Sequence, residues 1–542
     1  MQLALHKLLD EEVELLRGKR LDNDYFNTLL TGGDPVRDLL LWLDQGDSFK
    51  AARSENEWKA FVEVCKSQLG FHPEKEGVLS GATKLAEHEG PWLPIWNRFC
   101  EGPGRSGTIP DQIRKCKPPS HTIYWVSGDE AFDGWPQWNE DQEKSLRRDL
   151  VALANQPAHK ARGALIKLEQ KHNQRRDLVW SELGEAPLAC ALQHLAAVAE
   201  VTSTNLAAGT LDDLFSGYAS SGWRADDAVV RALACVTNKE NLEAIRTAIH
   251  SVYLPWVEES SRYLQELIDK ESYPGGTYLS SKPMETSAGQ CILFVDGLRF
   301  DAAKRLAELL EKKGLQLSEE IKWAALPTVT ATGKPAVSPV IDRVRGVEGN
   351  ADFEPAIAET EQPLKNYHTK KLIKEAGYEI LEGSAKGEEY EKGWCEFGDI
   401  NHEGHDRGWK LAKHLDALLE EVAERIISLL QAGWKSVRIV TDHGWLLLPG
   451  GLPKTELPGS LTSSLSMLNF SVKRARRMLQ LRTHFLFSTC RSPKRCRRRK
   501  LLRYLLIPAR NREGKSFLKN CLGLMSSMTL MKKRRFVNAV RI

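Results

Sequence analysis

Over the first half of the chain, apolar residues recur three and four positions apart, with polar or charged residues between them. The pattern covers 11–18, 141–154, 187–201, 225–235 and 241–268, and it predicts a series of helices, each with one buried stripe. Pro187 suits the first position of its helix, where no backbone donor is needed. Strand-like runs such as 122–126 are few. Trp92, Trp96, Trp125, Trp135 and Trp138 are expected mostly as core or loop anchors. Residues 1–272 therefore read as a mainly helical N-terminal region of the interaction or scaffold kind, without a catalytic constellation.

A stretch rich in Gly, Pro and Ser within 273–288 reads as a linker, and the pattern then changes. Cys291-Ile292-Leu293-Phe294-Val295 is a continuous apolar run, as a strand buried on both faces would be. Asp296-Gly297-Leu298-Arg299-Phe300 follows, and then a helix over 301–313 with Leu306, Leu309 and Leu310 on one face and Gly314 at its end. A second such unit comes later. One apolar stripe runs over 409–432, Gly433 caps it, and a strand over 437–441 leads directly into Asp442-His443-Gly444. Residues 289–458 are thus predicted to form an α/β domain, a mostly parallel sheet flanked by helices.

Composition changes this picture at one end. The 542 residues carry 76 Lys+Arg and 72 Asp+Glu, a net of +4. Residues 459–542 hold 22 of the bases and a single acid, Glu513, which leaves 54 bases and 71 acids in 1–458. That basic tail also lacks all 15 Trp and contains five of the seven Met. Two readings stay open: a nucleic-acid-binding arm, or a shift of reading frame near residue 459 that leaves the tail out of frame or disordered. No apolar run is long and uninterrupted enough to span a membrane, and the first ten residues do not resemble a secretory signal. The ten Cys form no C-x-x-C pair, which fits reduced thiols in a cytoplasmic setting.

The candidate chemistry sits at predicted strand ends, where ligands bind in open parallel sheets. Asp296 and Asp442 both follow buried runs, and His443 adds a nitrogen donor. Two carboxylates and an imidazole at one sheet edge suit a divalent ion such as zinc or manganese. The competing reading of a strand-end acid is a helix N-cap, and Asp301 is better read that way or as support for the site. Between them lies Pro327-Thr328-Val329-Thr330, a Thr-rich turn whose hydroxyls could become nucleophiles beside a metal. Gly333-Lys334 is not a phosphate-binding Walker loop, because Pro335 follows it. A loop over 398–408 is rich in donors: Asp399, His402, Glu403, His405 and Asp406.

The order of these pieces resembles the alkaline phosphatase superfamily. The wording Val295-Asp296-Gly297-Leu298-Arg299-Phe300-Asp301, Leu326-Pro327-Thr328-Val329-Thr330 and Val440-Thr441-Asp442-His443-Gly444-Trp445 is similar to PglZ, the phosphatase-like component of BREX phage-defence systems. The likeness covers roughly residues 290–458. It implies an alkaline-phosphatase-like core and a metal-dependent phosphatase or phosphodiesterase with Thr330 as nucleophile. Asp296, Thr330, Asp442 and His443 would hold one ion. Asn401 and His405 would hold a second, more weakly, because the family pattern has Asp where Asn401 stands. The remaining ligand would be a later His, and only His484 follows His443. Arg299 or Lys334 would bind a phosphoryl oxygen. Expected partners are other BREX components, including a DNA methyltransferase and a large ATPase. The alternatives are an inactive scaffold of the same complex and a nucleic-acid binder acting through the basic tail.

Overall fold

The computed structural model describes residues 4–31, 33–118, 132–271, 273–275, 283–325, 328–346, 355–387 and 392–451, with the backbone of 529–530 and 539–541. The chain divides into two compact units, Met1–Asp149 with Lys167–Gln193, and Leu150–Ile166 with His194–Ile542. The helices of 194–271, placed in the N-terminal region by sequence, thus group with the α/β part. The whole is helix-rich with a small parallel sheet.

The first unit is helical. Its core is aromatic: Trp42, Phe49, Phe61, Phe71, Trp92, Trp96, Trp135 and Trp180 are buried together. Trp138 packs against them, while Trp125 and the strand expected over 122–126 lie outside the described residues. Local signals match the helix ends. Glu55–Leu69 opens on a reciprocal Ser54–Glu57 capping box and closes on Gly70 at φ +59°. Of the stripe expected over 11–18, only Val13–Leu16 is helical, and a separate short helix, Leu5–Leu9, precedes it.

The second unit is built on a sheet whose pairings are all parallel. Its strands are β1 Gln290–Phe294, β2 Gln316–Ser318, β3 Glu379–Leu381, β4 Lys392–Glu396, β5 Ser436–Val440 and β6 Ala539–Arg541, in the order β2-β6-β5-β1-β4-β3. β1 is buried along its length, as its unbroken apolar run predicts. The unit's helices include α1 Trp223–Ala234, α2 Lys239–Lys270, α3 Phe300–Lys312, α4 Thr330–Ala336, α5 Asn366–Glu375, α6 Ile400–Arg407 and α7 Leu411–Gln431. On one face of the sheet, Ile292, Phe294, Trp394 and Val440 pack against Val337 beyond α4 and Leu372 and Ile373 of α5. α1, α3 and α7 pack on one another; most of each stripe read from sequence is buried, while Leu309 of α3 and Leu418 and Leu430 of α7 are half-buried. The 398–408 stretch expected as a loop is mostly helix, α6, ended by Gly408 at φ +57°.

Of the tail, Thr529–Leu530 pairs with Ile321–Lys322, and β6 lies between β5 and β2. These five residues are sheet-paired. β6 supplies a parallel ladder partner to both neighbours, which would otherwise present open edges. Among the described residues, no helix is long and apolar enough to cross a membrane.

Candidate metal centre

Three neighbouring strands end level with one another. Phe294 of β1 is in register with Glu396 of β4 and with Val440 of β5. The segments beyond them carry Asp296, Asn401 at the start of α6, and Asp442–His443. Order along the sheet therefore brings Asp296 together with residues that lie more than a hundred positions later in sequence.

Two glycines allow the close approach. Gly297 adopts φ +69°, and a Cβ there would meet Asn401 Cβ at 3.1 Å. A Cβ on Gly333 would sit 2.6 Å from the Asp442 carbonyl, so any side chain would push α4 away from that loop. Thr330 is the first residue of α4.

Asp296, Asp442 and His443 form the one group of three or more His, Cys, Asp or Glu residues with metal-ligand spacing among the described residues. Their donor atoms lie within 4.8 Å of one another. His443 Nε2 is 3.3 Å from Asp296 Oδ1 and 3.7 Å from Asp442 Oδ2. Thr330 Oγ1 is 3.1 Å from His443 Nε2 and 3.4 Å from Asp296 Oδ1. Ligands about 2.0–2.2 Å from a tetrahedral ion are separated from each other by about 3.3–3.6 Å. The measured separations fall on or near that range.

The donor set also fits an ion electrostatically. Asp442 is fully buried, and its Oδ2 has no hydrogen-bond partner, while Oδ1 accepts from the Gly297 amide at 3.2 Å. Leaving such an oxygen unanswered is costly unless a cation faces it. His443 Nδ1 faces the Gly444 carbonyl at 3.1 Å, which assigns a proton to Nδ1 and turns Nε2 toward the carboxylates. Burial alone would lower the His443 pKa, but the charges of Asp442 and Asp296 outweigh it and push it up to about 9. Burial raises the Asp442 carboxyl, and the charge of Asp296 adds to this against the pull of His443. Burial also acts to raise Asp296, but hydrogen bonding and charge from His443, with the Asn401 amide, bring it below its ordinary value. Asp296 is 31% exposed and opens the cluster to solvent.

The structure thus brings together Asp296, Thr330, Asp442 and His443. Asn401 adjoins them, but its amide nitrogen donates to Asp296 Oδ2 at 3.1 Å. His405 is exposed on α6, outside the cluster, and His484 lies outside the described residues. Glu403 pairs with Arg407, and His402 lies 3.7 Å from Asp406, so α6 spends these side chains on its own surface.

Three readings need correction. Arg299 is no free phosphate ligand: it is 2% exposed and bonded to both oxygens of Asp301. Of the two readings of Asp301, the N-cap fails: the helix begins at Phe300, and the Asp301 carboxylate is used by Arg299, which leaves the reading as support for the site. Lys334 is held by Glu396 at 2.7 Å and Asn366 at 3.1 Å, so its charge is already answered. Sequence reasoning missed Glu396, whose signal was its place at the end of β4. It also missed Asp226, which lies in a helix that read as plain scaffold.

No family model matches the chain, and no curated protein matches it.

Proposed function

We propose that the chain is a PglZ-type component of a BREX phage-defence system, with an alkaline-phosphatase-like core acting as a metal-dependent phosphatase or phosphodiesterase. The observation that carries this reading is the meeting of Thr330 Oγ1 with Asp296 and His443 at 3.4 and 3.1 Å, beside Asp442 Oδ2, which has no hydrogen-bond partner. The same four residues are those that the family resemblance assigns to one ion.

Asp296, Asp442 and His443, with the Thr330 hydroxyl, would hold zinc or manganese through oxygen and imidazole donors. When bound, such an ion would lower the Thr330 hydroxyl pKa, so that its proton could pass to solvent, and would offset charge on the phosphoryl oxygens. Thr330 Oγ1 then forms a bond to phosphorus as the bond to the leaving oxygen breaks, and water later releases the phosphothreonine. α4 fixes the hydroxyl at the cluster, and the loops after β1 and β5 fix the acids.

The test is hydrolysis of bis(4-nitrophenyl) phosphate by the full chain with zinc or manganese. Turnover is expected, with Thr330→Ala lowering it at least about 1,000-fold, the scale of losing an activated nucleophile. Turnover that survives Thr330→Ala and Asp442→Asn would remove the assignment.

A second reading, an inactive scaffold of the same complex, is favoured by the second ligand pair. Asn401 replaces an acid and turns its amide to Asp296, and His405 is exposed outside the cluster. Stoichiometric metal binding without turnover would select it. In either case the expected partners are the BREX methyltransferase and ATPase.

A further inference from the structure

A buried guanidinium lies between the two loops that carry the ligands. Arg299, in the loop after β1, donates Nη1 to the Trp445 carbonyl at 3.1 Å in the loop after β5. Its guanidinium carbon lies 4.0 Å from the Trp445 ring centroid. Trp445 answers in the other direction: its indole Nε1 donates to the Gly297 carbonyl at 2.8 Å. The Gly297 amide bonds Asp442, and the Leu298 amide bonds Thr441 Oγ1 at 3.0 Å. The loop bearing Asp296 and the loop bearing Asp442 and His443 are therefore joined by four hydrogen bonds.

The cation is itself immobilised. Asp301 takes Nε and Nη2 at 2.5 and 2.6 Å, and Nη2 also donates to the Asp226 carbonyl at 3.3 Å. The buried Asp226 carboxylate accepts from Tyr218 and Tyr253, which ties α1 and α2 into the same assembly. A buried ion pair of this kind is a poor source of stability, because a well-packed apolar pair of similar volume does as well or better. An apolar pair cannot, however, hold two backbones at a set hydrogen-bond distance. A metal site needs its ligands placed to within about 0.5 Å.

We infer that Arg299 is a positioning residue for the metal centre, with Trp445 as its counterpart. Together they hold the Asp296 loop and the Asp442–His443 loop at ligand spacing before an ion arrives. This deepens the reading of the cluster as a metal centre and rests on it.

The experiment is a Co²⁺ titration of the full chain, followed by visible absorption, with thermal unfolding measured separately in chelator. Arg299→Lys keeps the charge and loses the planar fork. It is expected to bind Co²⁺ about 10–100-fold more weakly, with a changed band, as losing partners that orient ligands does. Trp445→Phe keeps the ring under Arg299 and removes only the indole donor, and a smaller loss of several-fold, roughly, is expected. The double change Arg299→Met with Asp301→Leu is expected to unfold in chelator no earlier than the wild type and still to bind Co²⁺ weakly, which separates positioning from bulk stability. Wild-type Co²⁺ affinity and spectrum in folded Arg299→Lys and Trp445→Phe would overturn the positioning role while leaving the metal centre standing. If Arg299→Lys does not fold, Trp445→Phe decides by the same criterion. Absence of saturable Co²⁺ binding by the wild type, or binding unaltered by Asp442→Asn, would overturn the metal centre itself.

Discussion

Glu143 in the helical unit and Asp442 at the sheet edge are both carboxylates closed off from water, yet their surroundings differ. Glu143 accepts from Arg175 and the Ala189 amide on one oxygen and from the Leu188 amide on the other. It answers a cation and satisfies two free donors in the first turn of Pro187–Val201. Asp442 shares its surroundings with a second acid, and one of its oxygens has no hydrogen-bond partner. An unanswered oxygen alone does not mark a site. Asp38 in the helical unit also has one, but Arg37 and Arg53 already lie beside that carboxylate, within 3.4 Å of its other oxygen. The lesson is in the balance: around Glu143 and Asp38 the cations match or exceed the negative charge, whereas the sheet edge sets two carboxylates against one imidazole.

The sharpest way to break this comparison is to remove Glu143. Glu143→Leu leaves Arg175 buried and unpaired, and should cost the helical unit about 3–5 kcal/mol in denaturant unfolding without altering metal affinity. A small cost would mean that the two clusters are not different in kind. The opposite behaviour is expected of Asp442→Asn. Its amide keeps the bond from Gly297 and offers a donor toward the other acid, so the metal-free protein should gain about 1 kcal/mol. Zinc affinity should fall by at least about 100-fold, the upper end for losing a mere supporting partner.

The pH dependence follows from His443. Its folded pKa, about 9, lies above the ordinary value of 6.5. In the metal-free protein its stabilising contribution is therefore complete below about pH 6.5 and lost as pH rises through about 9. Thermal unfolding in chelator should show that fall between those values. Metal affinity runs the other way, because an ion must displace the imidazolium proton: it should rise by up to about tenfold per pH unit toward pH 9 and flatten above it. The smallest effect is expected at Lys334. Its pairing with Glu396 is partly exposed, so Lys334→Met should cost about 0.5–1 kcal/mol, and the KM for an activated diester should stay unchanged.

Much of this was readable before the fold was known. The apolar run of β1 and the stripe of α7 are local patterns, and local burial follows them directly. Asp296, Asp442 and His443 were readable as candidates because they follow buried runs at predicted strand ends, whereas Thr330 was singled out from Thr328 by the family resemblance. Arg299 and Lys334 were misread for a common reason. A lone cation beside a candidate site looks available until its counterion is known, and Glu396 lies 62 residues from Lys334. Asp301 was read as an N-cap or as support for the site, and the N-cap fails because a near neighbour, Arg299, uses the carboxylate that would otherwise cap the helix. Asp226 had no signal of its own: an acid in an amphipathic helix looks solvated until the loop after β1 folds against it. The grouping of 194–271 with the sheet unit is likewise a matter of long-range packing, which periodicity does not carry.

The central claim is that Asp296, Asp442 and His443 hold a divalent ion against Thr330. Calorimetric titration of zinc into the full chain at pH 7, repeated in buffers of different ionisation enthalpy, tests it most directly. The account predicts a saturable site on each chain that releases about one proton on binding and is lost in Asp442→Asn. Absence of saturable zinc, or the same binding and proton release in Asp442→Asn, would contradict it.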